Sequence, residues 1–214
     1  MSAFDTALAG LYETFHLERP AEIQGCFCCL DAAEREVLLT RPLGVLTSRQ
    51  LGPYASSVFL TLGHVSDYRY FLPRILDISA SDLGWWPSPE LAVGALARAN
   101  WDTWPDGERE AIEAFLRAWL DRWASQRLND TRWNEIDALL CGIARAGLDV
   151  QPYFERLLAP ENLDGLRELN ALNGAKAENG GGAKNFWEEA PEGWRRLSAF
   201  LTSMAVRERL SADP

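Results

Sequence analysis

Residues 105–124 read PDGEREAIEAFLRAWLDRWA, and this stretch decides the fold class. Its large apolar residues recur every three or four positions, which is the spacing of one face of an α-helix. They are Ile112, Phe115, Leu116, Trp119, Leu120 and Trp123. Acidic residues fill the first turns, where they interact favourably with the helix dipole. The pattern therefore predicts an amphipathic helix that begins near Pro105.

Helix signals recur on both sides of this stretch. Thr47 and Gln50 have the spacing of a capping box, which is typical of a helix N-terminus. The helix that they open is predicted to run to Gly63, because glycine favours the C-terminal end of a helix. A further helix is predicted to be capped by Asp130 or Thr131.

The sequence contains no stretch of strand-like alternation between hairpin turns, and its β-branched residues are scattered. We therefore expect an all-α fold, a single domain over residues 1–214 built as an irregular array of about nine or ten helices. The short consecutive helices from Pro105 onward favour an α-solenoid-like arrangement in the C-terminal half, although no repeat of fixed period supports it. Residues 173–184 are rich in Gly, Asn and Ala and are predicted to form a mobile loop.

The charge of the chain narrows the classes of partner. With 31 acidic and 21 basic residues among 214, the formal net charge is −10. Such an excess repels the phosphate backbone, so we expect no direct nucleic-acid ligand, and it favours encounter with a basic protein. No apolar run approaches the roughly 18 residues of a membrane span. The stretch Met1–Thr14 lacks the basic start of a secretion signal, so we expect a cytoplasmic protein.

Three of the four cysteines fall within four residues, at Cys26, Cys28 and Cys29. Three interpretations remain open: packing as small hydrophobic side chains, a zinc site, or a thiol-redox site. The further zinc ligands that the sequence offers are His16, His64 and Cys141. A second pair of closely spaced cysteines, which structural zinc sites usually have, is missing.

Signals for catalysis are weak. The sequence has no phosphate-binding glycine loop, dinucleotide-binding pattern, nucleophile elbow or zincin motif. Both histidines stand at predicted helix ends, where a capping or dipole role is common. Neighbouring carboxylates indicate a solvated acidic face, since they need not converge on one pocket. We therefore expect no catalytic residue, no cofactor and no enzyme activity.

Tryptophans beside turns, with acidic residues next to them, are candidates for a protein interface because Trp is enriched among interface anchors. The residues predicted to bind a partner are Trp85, Trp86, Asp102, Trp104 and Asp106, followed by Glu188 and Glu189. The competing interpretation is that these rings cover the core from their loops.

Three segments carry a family resemblance: Gly25–Cys29 (GCFCC), Asp67–Arg74 (DYRYFLPR) and Asn185–Glu188 (NFWE). In this order they resemble uncharacterised bacterial all-helical proteins that are associated with polymorphic toxin systems as immunity proteins. The resemblance extends over most of the chain and implies a cognate toxin as partner, and an acidic face would suit a basic toxin cleft. The alternatives are a zinc or thiol-redox protein centred on the cysteines and a helical scaffold or adaptor that binds a peptide or protein.

Overall fold

The computed structural model describes residues 1–126 and 135–212. Within these ranges the chain forms eleven α-helices and no β-strand, so the predicted all-α fold is confirmed with slightly more helices than expected. The helices are α1 (Ala3–Thr14), α2 (Ala32–Thr40), α3 (Ser48–Ser57), α4 (Val65–Ser81), α5 (Pro89–Arg98), α6 (Asp106–Ala124), α7 (Glu135–Arg145), α8 (Gln151–Leu157), α9 (Leu163–Glu178), α10 (Pro191–Leu201) and α11 (Met204–Ser211). Short 3-10 helices occupy Leu43–Val45, Trp101–Thr103, Pro160–Asn162 and Asn185–Glu189. The cap predicted at Asp130 or Thr131 lies outside the described residues.

The stretch that decides the fold forms α6, as predicted. All six apolar residues of its predicted stripe are buried, and Asp106 and Glu108 occupy its first turn. Although α6 has 19 residues, neither it nor any other described helix is both long and apolar enough to cross a bilayer.

The chain divides into two compact units, residues 1–115 and 116–214, with the boundary inside α6. In the first unit, α4 is the central helix and contacts α1, α3 and α5. Its largest side chains form the core of this unit because apolar residues recur along its buried face. They are Tyr68, Phe71, Leu72, Ile75 and Leu76.

The second unit has its own core around α10, which contacts α7, α8, α9 and α11. The pattern of buried leucines on these helices follows the helical period. The core side chains include Leu139, Leu140, Ile143, Phe154, Leu166, Leu169 and Leu197.

Two predicted boundaries are wrong. Helix α3 ends at Ser57 instead of Gly63, because Val58–Leu62 forms a tight turn whose residues pair with Gly25 and with each other. Helix α9 continues to Glu178, so residues 173–178 are helical and only 179–184 remain of the predicted loop. The Asn173 side chain donates a hydrogen bond to Asp137 Oδ1 at 2.8 Å, a contact with α7 that favours the longer helix.

Candidate functional site

The sulfur atoms of Cys26, Cys28 and Cys29 all lie within 4.8 Å of one another, and we call these residues the thiol cluster. The Cys28 and Cys29 sulfurs are 3.9 Å apart, which is the distance of a weak hydrogen bond and not of a disulfide. Cys28 is exposed, and the other two side chains are half-buried. Packing in a core, the first interpretation of these residues, applies instead to Cys141, which is buried in α7.

One side of the thiol cluster is fixed by the turn that follows α3. Gly25 pairs with Leu62, and the Cys26 amide donates to the Thr61 carbonyl at 2.9 Å. Gly25 has a φ angle of 118°, and a Cβ atom there would lie 2.4 Å from the Leu62 Cα. Only glycine therefore allows the two segments to approach so closely.

The other side is fixed by Arg35 of α2, whose side chain is almost completely buried. Its guanidinium group donates hydrogen bonds to the backbone carbonyls of Ile23, Gly25, Cys26 and Leu30. The same group lies 4.5 Å from the centre of the exposed Phe27 ring, a cation–π contact. Because the planar Arg35 guanidinium holds four backbone carbonyls at once, these hydrogen bonds fix the loop that carries the cysteines.

The thiols of Cys26 and Cys28 have pKa values that shift in opposite directions. Hydrogen bonds from the side chain and backbone of Cys28, and then from Cys29, lower the pKa of Cys26 to about 7. The corresponding hydrogen bonds to Cys26 and Cys29 raise the pKa of Cys28 to about 11. Cys26 therefore ionises more readily than Cys28, and a thiolate is the form that binds metals.

Neither histidine joins the thiol cluster. Among the described residues, the group of sulfur, imidazole and carboxylate donors around Cys28 contains the three cysteines alone. His64 caps α4, and its Nδ1 atom accepts a hydrogen bond from the Ser66 amide at 3.4 Å. His16 lines a surface cleft of about 460 Å³ beside Tyr12 and Tyr70.

The predicted interface tryptophans differ in exposure. Trp86 is 58% exposed, whereas Trp85 is half-buried and its indole N–H donates to the Ser48 carbonyl at 2.9 Å. Both residues line a shallow cavity of about 530 Å³ between α3 and the loop that follows α4. We call three exposed residues of this region, Asp82, Leu83 and Trp86, the Trp86 surface, and the exposed Arg49 lines the same cavity. Its two apolar side chains, Leu83 and Trp86, are both exposed.

Trp104 is buried, so its predicted role as a surface anchor is wrong. Its indole N–H donates to the Ala99 carbonyl at 3.2 Å, and the Arg69 guanidinium lies 5.3 Å from its ring centre. Arg69 also forms a two-pronged ion pair with the buried Glu108. The ring therefore covers the core from its loop, while Asp102 stays exposed beside it.

The remaining predicted acids lie in different places. Asp106 is exposed and pairs with Arg109 one turn later in α6. Glu188 and Glu189 are exposed in the second unit, where Glu189 accepts a hydrogen bond from Arg145 at 2.6 Å. None of these acids, nor Asp102, lines the cavity beside Trp86.

The segment Asp67–Arg74, which carries part of the resemblance, stabilises α4 and its neighbours. Asp67 is buried and accepts hydrogen bonds from the Tyr54 hydroxyl and the His64 amide, at 2.7 and 2.8 Å. Arg74 pairs with Asp77 and donates to the Leu46 carbonyl. These side chains form the internal ion pairs and caps of the first unit.

The acidic excess is concentrated in one unit. Residues 1–115 contain 16 acidic residues and 8 arginines, a formal charge of −8, whereas residues 116–214 contain 15 acidic and 13 basic residues, a charge of −2. The field of the first unit is therefore the stronger one, and the unit that carries the Trp86 surface also carries most of the net charge.

The residues that sequence reasoning missed are Arg35 and Thr61. Arg35 stands six positions after Cys29 in a helix, and nothing in its spacing shows that it reaches back to the Gly25 and Cys26 carbonyls. Thr61 lies in the turn after α3, and its hydroxyl donates a hydrogen bond to the Cys29 sulfur at 3.1 Å.

No family model, curated protein or solved structure matches the chain.

Proposed function

We propose that this chain is an immunity protein of the cytoplasm that binds a cognate bacterial toxin domain and covers its active site. The observation that carries the proposal is the concentration of acidic charge, −8 within residues 1–115. Toxins that act on nucleic acids or nucleotides need basic clefts for their substrates, and an acidic surface of this kind is complementary to such a cleft.

The Trp86 surface supplies the apolar contact that charge alone lacks. Interfaces derive most of their affinity from a few large side chains that become buried at the centre of the contact. Trp86 is 58% and Leu83 is 39% exposed, and both lie in the loop that follows α4, within the more acidic unit. In the proposed complex, Trp86 enters the cleft of the toxin, and Asp82, the acid that lines the same cavity, meets the basic rim of the cleft.

The protein acts by occlusion in this proposal and contributes no catalytic residue of its own. Asp102 and Asp106 steer the toxin toward the first unit, since both are exposed there. Trp104 has no part in the contact because it is buried. The solenoid-like stacking of the helices after Pro105 stays a prediction and is not needed for the contact.

The direct test is co-expression with the product of the adjacent gene, followed by co-purification and measurement of the dissociation constant. We expect a stable complex, and we expect Trp86→Ala to weaken it by about 2 kcal/mol or more, which is roughly thirtyfold in affinity. Met204→Ala is the matched control, since Met204 is 65% exposed but lies in α11 of the second unit.

Two outcomes would count against the proposal. One is the absence of any complex with adjacent gene products, and the other is a complex that tolerates Trp86→Ala as well as it tolerates Met204→Ala. If a linear peptide from the partner bound as tightly as the folded domain, the protein would instead be the helical scaffold of the alternative interpretation.

A further inference from the structure

We propose that Cys26, Cys28 and Cys29 form a surface site for one zinc ion, bound by three thiolates with the fourth position left to an external ligand. The site is independent of the toxin-binding function proposed above. All three sulfurs converge at the surface, which a metal site requires and packing in a core does not explain.

The spacing of the sulfurs is close to that of a zinc site. Zinc–sulfur bonds of about 2.3 Å in a tetrahedral arrangement place sulfur atoms roughly 3.8 Å apart. Cys28 and Cys29 already have sulfurs 3.9 Å apart, and all three lie within 4.8 Å. Since the side chains are exposed or half-buried, we expect small rotations about their own bonds to close the remaining gap when zinc binds.

The backbone of the site is held before any metal arrives. Gly25 and Cys26 are bound on one side by the turn that contains Thr61 and on the other by the guanidinium group of Arg35. A ligand loop that is already ordered loses little conformational entropy when it binds an ion. This ordering is a feature that three cysteines in a free surface loop would lack.

Thr61 provides a second contact of the kind that metal sites use. Its hydroxyl donates to the Cys29 sulfur at 3.1 Å. Hydrogen bonds to a ligating sulfur orient the ligand and stabilise its negative charge, and removing such an outer contact typically weakens metal affinity by ten- to a hundredfold. The arrangement therefore includes three ligands and one supporting donor.

The proposed zinc site has one coordination position that the described residues do not fill. Among the described residues, no histidine or carboxylate donor joins the three sulfurs, so water or a group from another molecule completes the tetrahedron. Binding removes the remaining thiol protons and forms three metal–sulfur bonds, with no change of oxidation state. An oxidised cluster with a disulfide cannot bind in this way, so the reduced form is the one to test.

The test uses the full chain, reduced and made metal-free, and titrated with Co²⁺ as a spectroscopic probe under anaerobic conditions. We expect a thiolate-to-cobalt charge-transfer absorption that saturates at one equivalent and disappears when Zn²⁺ is added. Absence of this absorption in the reduced, folded protein would overturn the proposal. A circular dichroism spectrum taken beforehand confirms that the helices are intact.

Variants separate this site from a non-specific thiol effect. We expect Cys28→Ser to abolish stoichiometric binding, because it removes the most exposed ligand, and Cys141→Ser to leave it unchanged, because Cys141 is buried in the second unit. Thr61→Val keeps the backbone hydrogen bond to Cys26 and should weaken affinity roughly tenfold. Equal binding by Cys28→Ser and the unsubstituted protein, or equal loss in Cys28→Ser and Cys141→Ser, would contradict the assignment.

Discussion

The buried carboxylate of Asp67 shows how single side chains hold the first unit together. Burying a charge is costly unless hydrogen bonds compensate for the lost water. Asp67 accepts one bond from the Tyr54 hydroxyl at 2.7 Å and one from the His64 amide at 2.8 Å. It thus caps α4 and joins α3 to α4, so its two oxygens perform two structural tasks.

The same contact makes stability depend on pH in alkaline solution. Burial, and then the charge of Asp67, raises the pKa of Tyr54 well above its usual value. Burial also raises the pKa of Tyr68. Each tyrosine keeps its proton in the folded state at a pH where the unfolded chain has lost it. The resulting stability is complete below about pH 10 and declines as the pH rises above that value.

We therefore expect the free energy of unfolding to fall above about pH 10, by up to about 1.4 kcal/mol per pH unit for each such tyrosine. In Tyr54→Phe, the free energy of unfolding should fall less steeply with pH, because one of the ionising tyrosines is gone. Denaturant unfolding at several alkaline pH values measures this slope. Phe71→Leu is the control, because the centres of the Phe71 and Tyr54 rings are 4.8 Å apart and Phe71 has no ionisable group. Identical slopes in Tyr54→Phe and the unsubstituted protein would show that the Tyr54 hydroxyl does not contribute.

At the scale of the helix, the second unit depends on a close crossing of α10 and α7. Gly193 of α10 lies so near α7 that a Cβ atom there would be 2.5 Å from the Cβ of Ala144. Two backbones can approach this closely only where one side chain is absent. Gly10 of α1 is different, because a Cβ atom there would meet nothing within 4 Å.

Gly193→Ala should destabilise the protein by roughly 1–3 kcal/mol, since an added methyl group in a packed contact forces the helices apart. Gly10→Ala should stabilise it by up to about 1 kcal/mol, because alanine favours the helix interior. Denaturant unfolding measures both. Ala144→Gly alone should cost up to about 1 kcal/mol, because glycine disfavours the helix interior, and it should cost less when added to Gly193→Ala, because it relieves the contact. An equal cost of Ala144→Gly in both backgrounds would argue against the crossing as the cause.

The helices also show what the sequence could and could not predict. The capping box of Thr47 and Gln50 forms as predicted, because it depends on residues three positions apart. The end of α9 was missed because Gly174 and its polar neighbours favour a loop locally, whereas the Asn173 contact with Asp137 spans 36 residues. Local pattern thus predicts helix starts well, and long-range contacts decide several of the ends.

The candidate sites follow the same rule. The spacing of Cys26, Cys28 and Cys29 is visible in the sequence, but it leaves open whether their sulfurs converge, as they do in the structure. The donors that organise the loop come from α2 and from the turn after α3, and no spacing rule brings them there. Trp104 was assigned to the surface because it stands beside a turn, but burial depends on the elements that pack around the turn.

For the molecule as a whole, the uneven charge has a kinetic consequence. A charged surface acts on a partner over distances of about 10 Å at moderate ionic strength, before any contact forms. With −8 in residues 1–115 and −2 in the remainder, a basic partner is attracted mainly toward the first unit. Attraction of this kind changes the association rate more than it changes the dissociation rate.

Two pairs of substitutions that change the net charge by the same amount test this consequence with the partner proposed above. Asp102→Asn with Asp106→Asn removes two exposed charges from the first unit, and Glu188→Gln with Glu189→Gln removes two from the second. We expect the first pair to lower the association rate severalfold at low salt and the second pair to leave it nearly unchanged. Stopped-flow measurements at increasing ionic strength should show the difference vanish as salt screens the field. An equal effect of both pairs would mean that net charge alone attracts the partner and that the first unit has no special part in recognition.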